Sequence, residues 1–268
     1  MMVDLQEVAA VIAEIADEQI ASRFGKLTEA EIDTKSGPHD FVTAADRAAE
    51  ERLAAALREF YPDAIFIGEE SVADDPSLLS KLGREGAFWI VDPLDGTRNF
   101  VQGRAEFGTI VALVVNGEIC AGWIYAIPDK TFAISEKGGG VAWRGETLGP
   151  VPPPDAPLKG YRAIGNMAEP WKTQLVPRLK EKFETEPIHC SAYGYINLIR
   201  GHHDFALYSR VHPWDHAAGI LMINEIGGRA EYLDDGSVYA PLPTQGRPLL
   251  VAGSCSVWET ARAALVDA

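Results

Sequence analysis

The sequence predicts a layered fold of the α+β and α/β classes, in which helices pack on β-sheets. Three observations support this prediction: an amphipathic N-terminal segment, short β-rich runs with tight turns in the first half, and alternating strand and helix patterns in the second half. The 268 residues are enough for one large or two medium domains. An apolar content of 47% is typical of a globular protein.

Two helices are predicted near the start of the chain. Apolar residues recur at helical spacing over 8–15 with acidic residues between them, which predicts an amphipathic helix that runs to about Phe24. A second helix is predicted from Thr43 to Phe60, because the Thr43 hydroxyl can cap the amide near Asp46. Asp46 then lies in the first turn of this helix.

Five β-rich runs follow the second helix. They cover residues 64–67, 88–91, 109–115, 119–126 and 131–135. The pair Asn116-Gly117 lies between two of these runs and favours the tight turn of a β-hairpin. The runs therefore predict an antiparallel meander.

A proline-rich segment at 150–157 is the predicted boundary between two parts, because proline extends neither a helix nor a β-ladder. We expect residues 1–150 to form an α+β part with an antiparallel sheet, and residues 151–268 to form an α/β part. In the second part, strands are predicted at 161–164, 185–189, 205–208, 229–232 and 248–252, and helices at 171–183, 195–200, 214–226 and the C-terminus.

The charge balance excludes two classes of binding partner. Lysine and arginine together number 24 and aspartate and glutamate 39, so the formal net charge is −15. Nucleic acid and anionic membranes are bound by basic surfaces that displace counterions, so we expect neither partner. No stretch of the sequence reaches the roughly 20 apolar residues that span a bilayer.

Cysteine usage and the N-terminal segment predict a cytoplasmic protein. Cys120, Cys190 and Cys255 are far apart and form no CxxC spacing, so they indicate neither a disulfide framework nor a zinc site. The segment 1–20 is acidic and lacks the basic start and apolar block of a signal peptide.

Four separated segments combine carboxylates with small residues. They are 40–46 (DFVTAAD), 68–71 (GEES), 92–97 (DPLDGT) and 214–219 (WDHAAG). In the third segment a strand of buried type runs into Asp92 and Asp95, whose carboxylates repel each other unless a cation lies between them. Mg²⁺ prefers carboxylate and carbonyl oxygens, so Asp92, Asp95 and the Leu94 carbonyl form a suitable set. The amides of Gly96 and Thr97, at the start of a predicted helix, would then face a phosphate oxygen.

Each segment alone also has a purely structural interpretation. Glu69-Glu70 is typical of a solvated face, DPLDGT of a turn, and Asp215 of a helix cap. The histidines have no zinc-binding spacing, and Cys190 is typical of a small buried residue rather than a nucleophile. The co-occurrence of all four segments is what favours a functional site.

The ordered motifs DxVTxxD, GEES, WIVDPLDGTRNF and PWDHAAGILMINEIGG resemble those of the inositol monophosphatase family of Mg²⁺-dependent, lithium-sensitive phosphomonoesterases. The resemblance implies a five-layered α/β/α/β/α sandwich of the sugar phosphatase type, with two or three Mg²⁺ ions held between its two halves. It also implies a small phosphorylated metabolite as substrate and a homodimer. The 1–150 part would supply most metal ligands, and the 151–268 part would supply Asp215 and substrate contacts.

The resemblance further implies a role for each matching residue. An activating ion would be held by oxygens of Glu69, Asp92 and Leu94. A second ion would be held by the carboxylates of Asp92, Asp95 and Asp215. Glu70 would support these ligands or bind a third ion through water.

The remaining roles concern the reaction and the substrate. Asp46 and Thr97 would orient and deprotonate the attacking water, and Glu69 completes this catalytic group. Lys35 would be an ancillary basic residue near the entrance. Substrate contacts would come from Asp95, Gly96, Thr97, Ser191, Ala192, Tyr208 and Asp215.

Substrate choice departs from the inositol-preferring relatives, which have a glutamate where this chain has Tyr208. We therefore predict a monophosphate ester of a small polyol or amino alcohol. Alternatives in the same family are a 3′-phosphoadenosine-5′-phosphate phosphatase, a sugar bisphosphatase and a histidinol-phosphate phosphatase. A basic rim would favour a bisphosphate, but the sequence does not place Arg98, Arg104, Arg200 and Arg210 relative to the pocket.

Two further alternatives differ in chemistry or in class. Haloacid-dehalogenase-type phosphatases also carry an Asp…Asp-Gly-Thr signature, but a single residue separates their aspartates, whereas Pro93 and Leu94 lie between them here. The second alternative is a noncatalytic protein that binds divalent ions and retains the carboxylates.

Overall fold

A computed structural model describes residues 3–28, 31–34, 41–154, 157–165 and 167–266. The helices are α1 (Leu5–Gln19), α2 (Ala44–Phe60), α3 (Glu69–Asp74), α4 (Thr97–Val101), α5 (Trp171–Lys182), α6 (Ser191–Ile199), α7 (Pro213–Glu225) and α8 (Cys255–Val266). Across the described ranges, every helix is too short or too polar to cross a bilayer.

The strands of the first half are β1 (Ile32–Thr34), β2 (Phe41–Thr43), β3 (Ile65–Gly68), β4 (Ala87–Asp95), β5 (Gly108–Val115), β6 (Glu118–Ala126), β7 (Thr131–Glu136), β8 (Gly140–Trp143) and β9 (Glu146–Leu148). Those of the second half are β10 (Lys159–Ala163), β11 (Glu184–Pro187), β12 (Phe205–Val211), β13 (Arg229–Tyr232) and β14 (Thr244–Ala252).

The first large sheet has seven strands in the order β3-β4-β5-β6-β7-β8-β9. All neighbours from β4 onward are antiparallel, as the meander prediction requires, whereas β3 and β4 are parallel. The predicted hairpin turn is confirmed, because Asn116 and Gly117 have positive φ angles of 50° and 81°. Strands β8 and β9 were not predicted, since both are short; β8 follows a glycine-rich turn, and β9 follows a turn at Arg144 and Gly145.

The second large sheet has five strands in the order β11-β10-β12-β14-β13. Strands β11, β10 and β12 are parallel to one another, and β14 is antiparallel to both of its neighbours. Every strand of this sheet follows the proline-rich segment, and every strand of the seven-stranded sheet precedes it.

Helices cover both sheets and separate them. Helices α1 and α2 pack on the seven-stranded sheet, where Ile12 and Leu53 join a core with Trp123. Helices α6 and α7 lie between the two sheets, and Tyr195 and Ile220 belong to a core with residues of both. Helices α5 and α8 pack on the five-stranded sheet in a third core. The predicted five-layered α/β/α/β/α sandwich is therefore confirmed.

Several element boundaries differ from the sequence prediction, and three of them bear on the site or on the N-terminal helix. Helix α1 ends at Gln19 rather than near Phe24, because a short 3₁₀ turn follows at Ala21–Arg23. Helix α6 begins at Ser191 rather than Tyr195, and its first turn points backbone amides at a buried carboxylate described below. Strand β4 does not stop before the aspartates but continues through Asp95 with a register shift.

Candidate active site

Three aspartates that are distant in sequence meet at the junction of the two halves. Asp92 and Asp95 lie on β4, and Asp215 lies in the first turn of α7. One carboxylate oxygen from each lies within 4.8 Å of the others. Residues three apart on a regular strand point to opposite faces, but the register shift between Asp92 and Asp95 lets both contribute to one cluster. The Leu94 amide donates to Asp92 Oδ1 at 3.0 Å and fixes this irregular segment.

The electrostatics of the cluster favour a bound cation. Burial raises the pKa of Asp95 to about 6. The hydrogen bonds that Asp95 accepts lower this pKa, and the charge of Glu69 raises it further. Burial also raises the pKa of Asp215, with Asp95 and Glu69 adding to the effect and Arg210 opposing it. Ionised carboxylates this close are therefore costly without a neutralising charge. Hard divalent cations match such a set of oxygen donors.

Asp95 is held from behind by the start of α6. Its Oδ2 accepts a hydrogen bond of 2.6 Å from the Ala192 amide and one of 2.9 Å from the Cys190 thiol. Burial and the neighbouring Asp95 raise the pKa of the Cys190 thiol, so this thiol stays protonated and donates. Cys190 is thus buried, as predicted, and its contact with Asp95 was not predicted from the sequence. Ala192 reaches the site through its backbone amide.

The glutamates of the second motif begin helix α3. Glu69 lines the cavity beside the aspartates, and Glu70 is buried. The buried carboxylate of Glu50 on α2 accepts the backbone amides of Glu70 and Ser71 at 2.8 and 2.7 Å. Gly68 permits this approach, since a Cβ there would lie 2.3 Å from the Glu50 carboxyl carbon.

Glu50 was missed by the sequence analysis. The available signal was its spacing, because Glu50 lies one helical turn after Asp46 on the same face of α2. Its partner amides lie 20 and 21 residues away in the sequence, and no local pattern connects them.

Asp46 and Thr97 form a hydrogen-bonded pair next to Leu94. The Thr97 hydroxyl lies 3.1 Å from Asp46 Oδ1 and 2.8 Å from the Leu94 carbonyl oxygen, and it donates to one of them at a time. Asp46 Oδ2 accepts the Thr43 amide at 2.8 Å and the Thr43 hydroxyl at 2.6 Å. The predicted cap of α2 is therefore confirmed as a capping box, and it fixes Asp46 toward Thr97.

A cavity of about 250 Å³ opens over these groups. Predicted site residues in its wall are Glu69, Leu94, Asp95, Gly96, Thr97, Ser191, Tyr208 and Asp215. Arg98, His189, Arg210 and His212 belong to the same wall. Lys35 and Asp40 lie outside the described residues, so their predicted positions are not placed by the structure.

Tyr208 and His216 differ in the hydrogen bonds that their polar atoms make. Within the described chain, the buried Tyr208 hydroxyl has no hydrogen-bond partner. His216 lies 2.8 Å from the Tyr195 hydroxyl through Nδ1 and 3.2 Å from the Arg210 carbonyl through Nε2. Burial lowers the pKa of His216 to about 3, so the ring is neutral: Nε2–H donates to the carbonyl, and Nδ1 accepts. His216 is a structural residue, as its lack of zinc-binding spacing suggests.

Comparison with known proteins identifies the class of protein to which this fold and this cluster of carboxylates belong. A family model described as "Inositol monophosphatase family" matches residues 2–266. The inositol-1-monophosphatase of Bacillus subtilis is 32% identical over 233 residues, which are 81% of this chain and 83% of that protein. The fructose-1,6-bisphosphatase/inositol-1-monophosphatase of Thermotoga maritima is 30% identical over 200 residues, covering 74% of this chain and 73% of that protein.

A solved structure agrees with these sequence matches at the level of the fold. Staphylococcal inositol monophosphatase-1, in a complex described as inhibitory after soaking in LiCl, has a TM-score of 0.82 at 20% identity and covers 98% of this chain and 96% of its own. The chain belongs to the inositol monophosphatase family, whose Mg²⁺-dependent members hydrolyse phosphoric monoesters. It is therefore a phosphoric monoester hydrolase, and the recognition made from its motifs is confirmed.

Proposed function

We propose that this chain hydrolyses a small phosphate monoester by attack of a water molecule, with Mg²⁺ ions bound to its carboxylates. The observation that carries the proposal is the convergence of Asp92, Asp95 and Asp215 within 4.8 Å beside one cavity. Phosphate ester hydrolysis is extremely slow without a catalyst, and positioned positive charge is its main requirement.

The donor set fits two or three Mg²⁺ ions. An activating ion would take oxygens of Glu69, Asp92 and Leu94, a second ion Asp92, Asp95 and Asp215, and a third ion Glu70 through water. Bound Mg²⁺ lowers the pKa of water and offsets the charge of the phosphoryl and leaving-group oxygens. All these donors are carboxylate or carbonyl oxygens, the ligand type that Mg²⁺ prefers.

Asp46 and Thr97 hold and move the proton of the attacking water. The Thr97 hydroxyl can accept that proton while it donates its own to Asp46 Oδ1, 3.1 Å away. Asp46 is prepared for this role because the Thr43 amide and hydroxyl fix its other oxygen. The Leu94 carbonyl oxygen, 2.8 Å from the Thr97 hydroxyl, is the other acceptor for its proton, so the hydroxyl must turn from Leu94 to Asp46 when it takes part in the reaction.

The rest of the cavity orients the ester. Gly96 has a positive φ of 85° and lies against the Glu106 carbonyl, so only glycine presents its amide in this way. The Gly96 and Thr97 amides would bind a phosphate oxygen, while Ser191 and the unpartnered hydroxyl of Tyr208 would bind the alcohol part. The cavity volume of about 250 Å³ favours a compact substrate.

A phosphate-release assay tests this proposal. Purified protein is incubated with a panel of small phosphate esters in Mg²⁺ and, in parallel, in excess EDTA. We expect release with Mg²⁺ and none with EDTA. A protein that binds Mg²⁺ by calorimetry yet releases no phosphate from any ester would instead be the noncatalytic ion-binding alternative. A covalent aspartyl-phosphate trapped by acid would contradict attack by water.

Two further properties complete the proposal. A cytoplasmic location is supported by Cys120, Cys190 and Cys255, which are all free thiols. A homodimer is proposed from the family resemblance, and light scattering during gel filtration tests it. The ancillary role that the family resemblance implies for Lys35, which lies outside the described residues, is tested by the effect of Lys35→Gln on KM.

A further inference from the structure

We propose that Arg98 and Arg210 form an anion subsite in the same cavity, so that the preferred substrate carries a second anionic group, a carboxylate or another phosphate, besides the ester that is cleaved. This inference rests on the proposed function, because it concerns the alcohol part of that substrate. It changes the expected substrate from a neutral polyol or amino alcohol to an acidic one.

The first argument is that neither arginine forms a salt bridge with a carboxylate of the described residues, although the charge of Arg210 lowers the pKa of Asp215. The chain has a formal net charge of −15, so carboxylates outnumber basic residues, and Arg52 and Arg247 are ion-paired with Glu18 and Asp234. Arg98 and Arg210 line the cavity, and neither is ion-paired with any residue that the structure describes. Arg98 is half-buried and Arg210 is exposed, and their shared place in the wall of the cavity lets both guanidinium groups reach an anionic ligand there.

The second argument is that Arg210 is held in place with donors to spare. Its Nε donates to His212 Nε2 at 2.7 Å, and the His212 ring stacks on Trp214 with ring centroids 4.7 Å apart and an angle of 8°. Both rings are buried, so they form a rigid support for the guanidinium. A guanidinium has five N–H donors, and the bond to His212 uses only one of them.

The third argument concerns the buried part of Arg98. Its Nε is buried and has no hydrogen-bond partner within the described residues. A buried donor without a partner is costly, so a shift of this side chain that lets a ligand accept from the nitrogen would be favoured. Arg98 directly follows Thr97 in α4, which places its backbone beside the residues proposed to bind the ester phosphate.

The surroundings add positive charge at this part of the cavity. Burial lowers the pKa of His189, and the charges of Arg98 and Arg104 lower it further. Arg98 and Arg104 therefore place positive charge near His189, and the charge of Glu106 opposes their effect. A cationic amine would be repelled here, a neutral hydroxyl would gain little, and a carboxylate or phosphate would be attracted.

Arg200 does not belong to this subsite. Its guanidinium lies 5.3 Å from the centre of the Trp143 ring, and it lines a separate groove with the proline-rich segment. The sequence did not place four arginines relative to the cavity. Two of them, Arg98 and Arg210, line it, and the charge of Arg104 acts on His189 in its wall, whereas Arg200 lies elsewhere.

The test compares two esters that differ in one group. 3-Phosphoglycerate carries a carboxylate where glycerol 3-phosphate carries a hydroxymethyl group, and kcat/KM is measured for both in saturating Mg²⁺. We expect the wild-type protein to prefer 3-phosphoglycerate by about tenfold or more, as a charge-assisted hydrogen bond in a binding site would give. We expect Arg98→Gln and Arg210→Gln each to reduce this ratio severalfold, mainly through KM for the acidic ester.

Controls separate the subsite from other effects. Arg84 is exposed and lies outside the cavity wall, so Arg84→Gln matches the charge change and should keep the wild-type ratio. Arg98→Lys keeps the charge and should recover part of the preference for 3-phosphoglycerate. It keeps the test valid if Arg98→Gln fails to fold. If Arg210 serves only to offset Asp215, Arg210→Gln will lower kcat/KM equally for both esters, and an unchanged ratio overturns the proposal.

A failure of the proposed function can be distinguished from a failure of the anion subsite. If no ester of the panel releases phosphate, these two included, the proposed hydrolysis fails. Calorimetric binding of the two esters to the wild-type protein in Mg²⁺ then still decides the subsite, because equal affinities would overturn it and tighter binding of 3-phosphoglycerate would support it.

Discussion

The carboxylate of Glu50 accepts a hydrogen bond of 2.8 Å from the backbone amide of Glu70. This contact joins helix α2, which carries Asp46, to the first turn of α3, which carries Glu69. The two elements that bear the proposed water-activating and metal-binding carboxylates are therefore fixed to each other by a third carboxylate.

Replacing Glu50 with glutamine should loosen this junction. Glu50→Gln keeps the shape but replaces one acceptor oxygen by a donor, which faces the amides of α3 unfavourably. Loss of a charge-assisted hydrogen bond is expected to raise the Mg²⁺ concentration for half-maximal activity by about tenfold. The measurement is phosphate release across a Mg²⁺ titration.

The matched control for this experiment is Glu51→Gln. Glu51 is the next residue and is exposed, so the same loss of charge should leave the titration unchanged. Identical Mg²⁺ dependence in Glu50→Gln and the wild type would show that Glu50 does not position the metal ligands.

Replacing Asp95 with asparagine should abolish turnover without unfolding the protein. In the Asp95→Asn variant the amide oxygen of the new side chain could still accept from the Ala192 amide, but the cluster would lose one charge. We expect a loss of about a thousandfold or more in kcat, with little change in the melting temperature measured in EDTA. Asp63→Asn changes an exposed aspartate away from the site and serves as the control. Near-normal turnover of the Asp95→Asn variant would reject the assignment.

The pH dependence of stability follows from the raised pKa of Asp95. Burial raises this pKa from 3.8 to about 6, so the folded protein without metal binds this proton more tightly than the unfolded chain does. The stability linked to this group is therefore fully present below pH 3.8 and is lost as the pH rises through about 6. Mg²⁺ binds the ionised form, so its stabilising effect should grow over the same interval.

Thermal unfolding with and without Mg²⁺, from about pH 5 to about pH 8, measures this linkage. We expect the Mg²⁺-induced rise in melting temperature to be small at the acidic end and large at the basic end. The Asp95→Asn variant should show a flatter dependence. A Mg²⁺ effect of equal size at every pH would contradict the linkage.

Lithium should inhibit the enzyme at millimolar concentrations. A small monovalent cation can replace the second, more loosely held Mg²⁺, but it brings less charge to offset that of the phosphoryl oxygens. The measurement is phosphate release with LiCl, with NaCl at equal concentration as the control for ionic strength. Equal activity in both salts would remove this part of the account and leave the metal assignment intact.

The sequence predicted the carboxylate cluster because several motifs had to be explained together. Asp92 and Asp95 alone were compatible with a turn, and only their combination with Asp215 and Glu69 indicated a metal site. Local patterns also predicted the capping box at Thr43 and the hairpin at Asn116-Gly117, since both depend on contacts between near neighbours in the chain.

Features that escaped prediction depend on contacts between distant segments. Glu50 looked like one charge among many on α2, because its partner amides belong to α3. The unpaired state of Arg98 and Arg210 can be recognised only when the carboxylates around them have been placed. The start of α6 at Ser191 was likewise missed, because its first turn is fixed by a hydrogen bond from the Ala192 amide to Asp95 on strand β4.

The most direct test of the central claim is the position of a bound metal. Crystals of the protein soaked in Mn²⁺, a Mg²⁺ substitute with a usable anomalous signal, would be measured by anomalous diffraction. We predict peaks within coordination distance of Asp92, Asp95 and Asp215, with Glu69 bound to at least one ion. Carboxylates that point to separate surfaces, or peaks confined to other parts of the protein, would contradict the account.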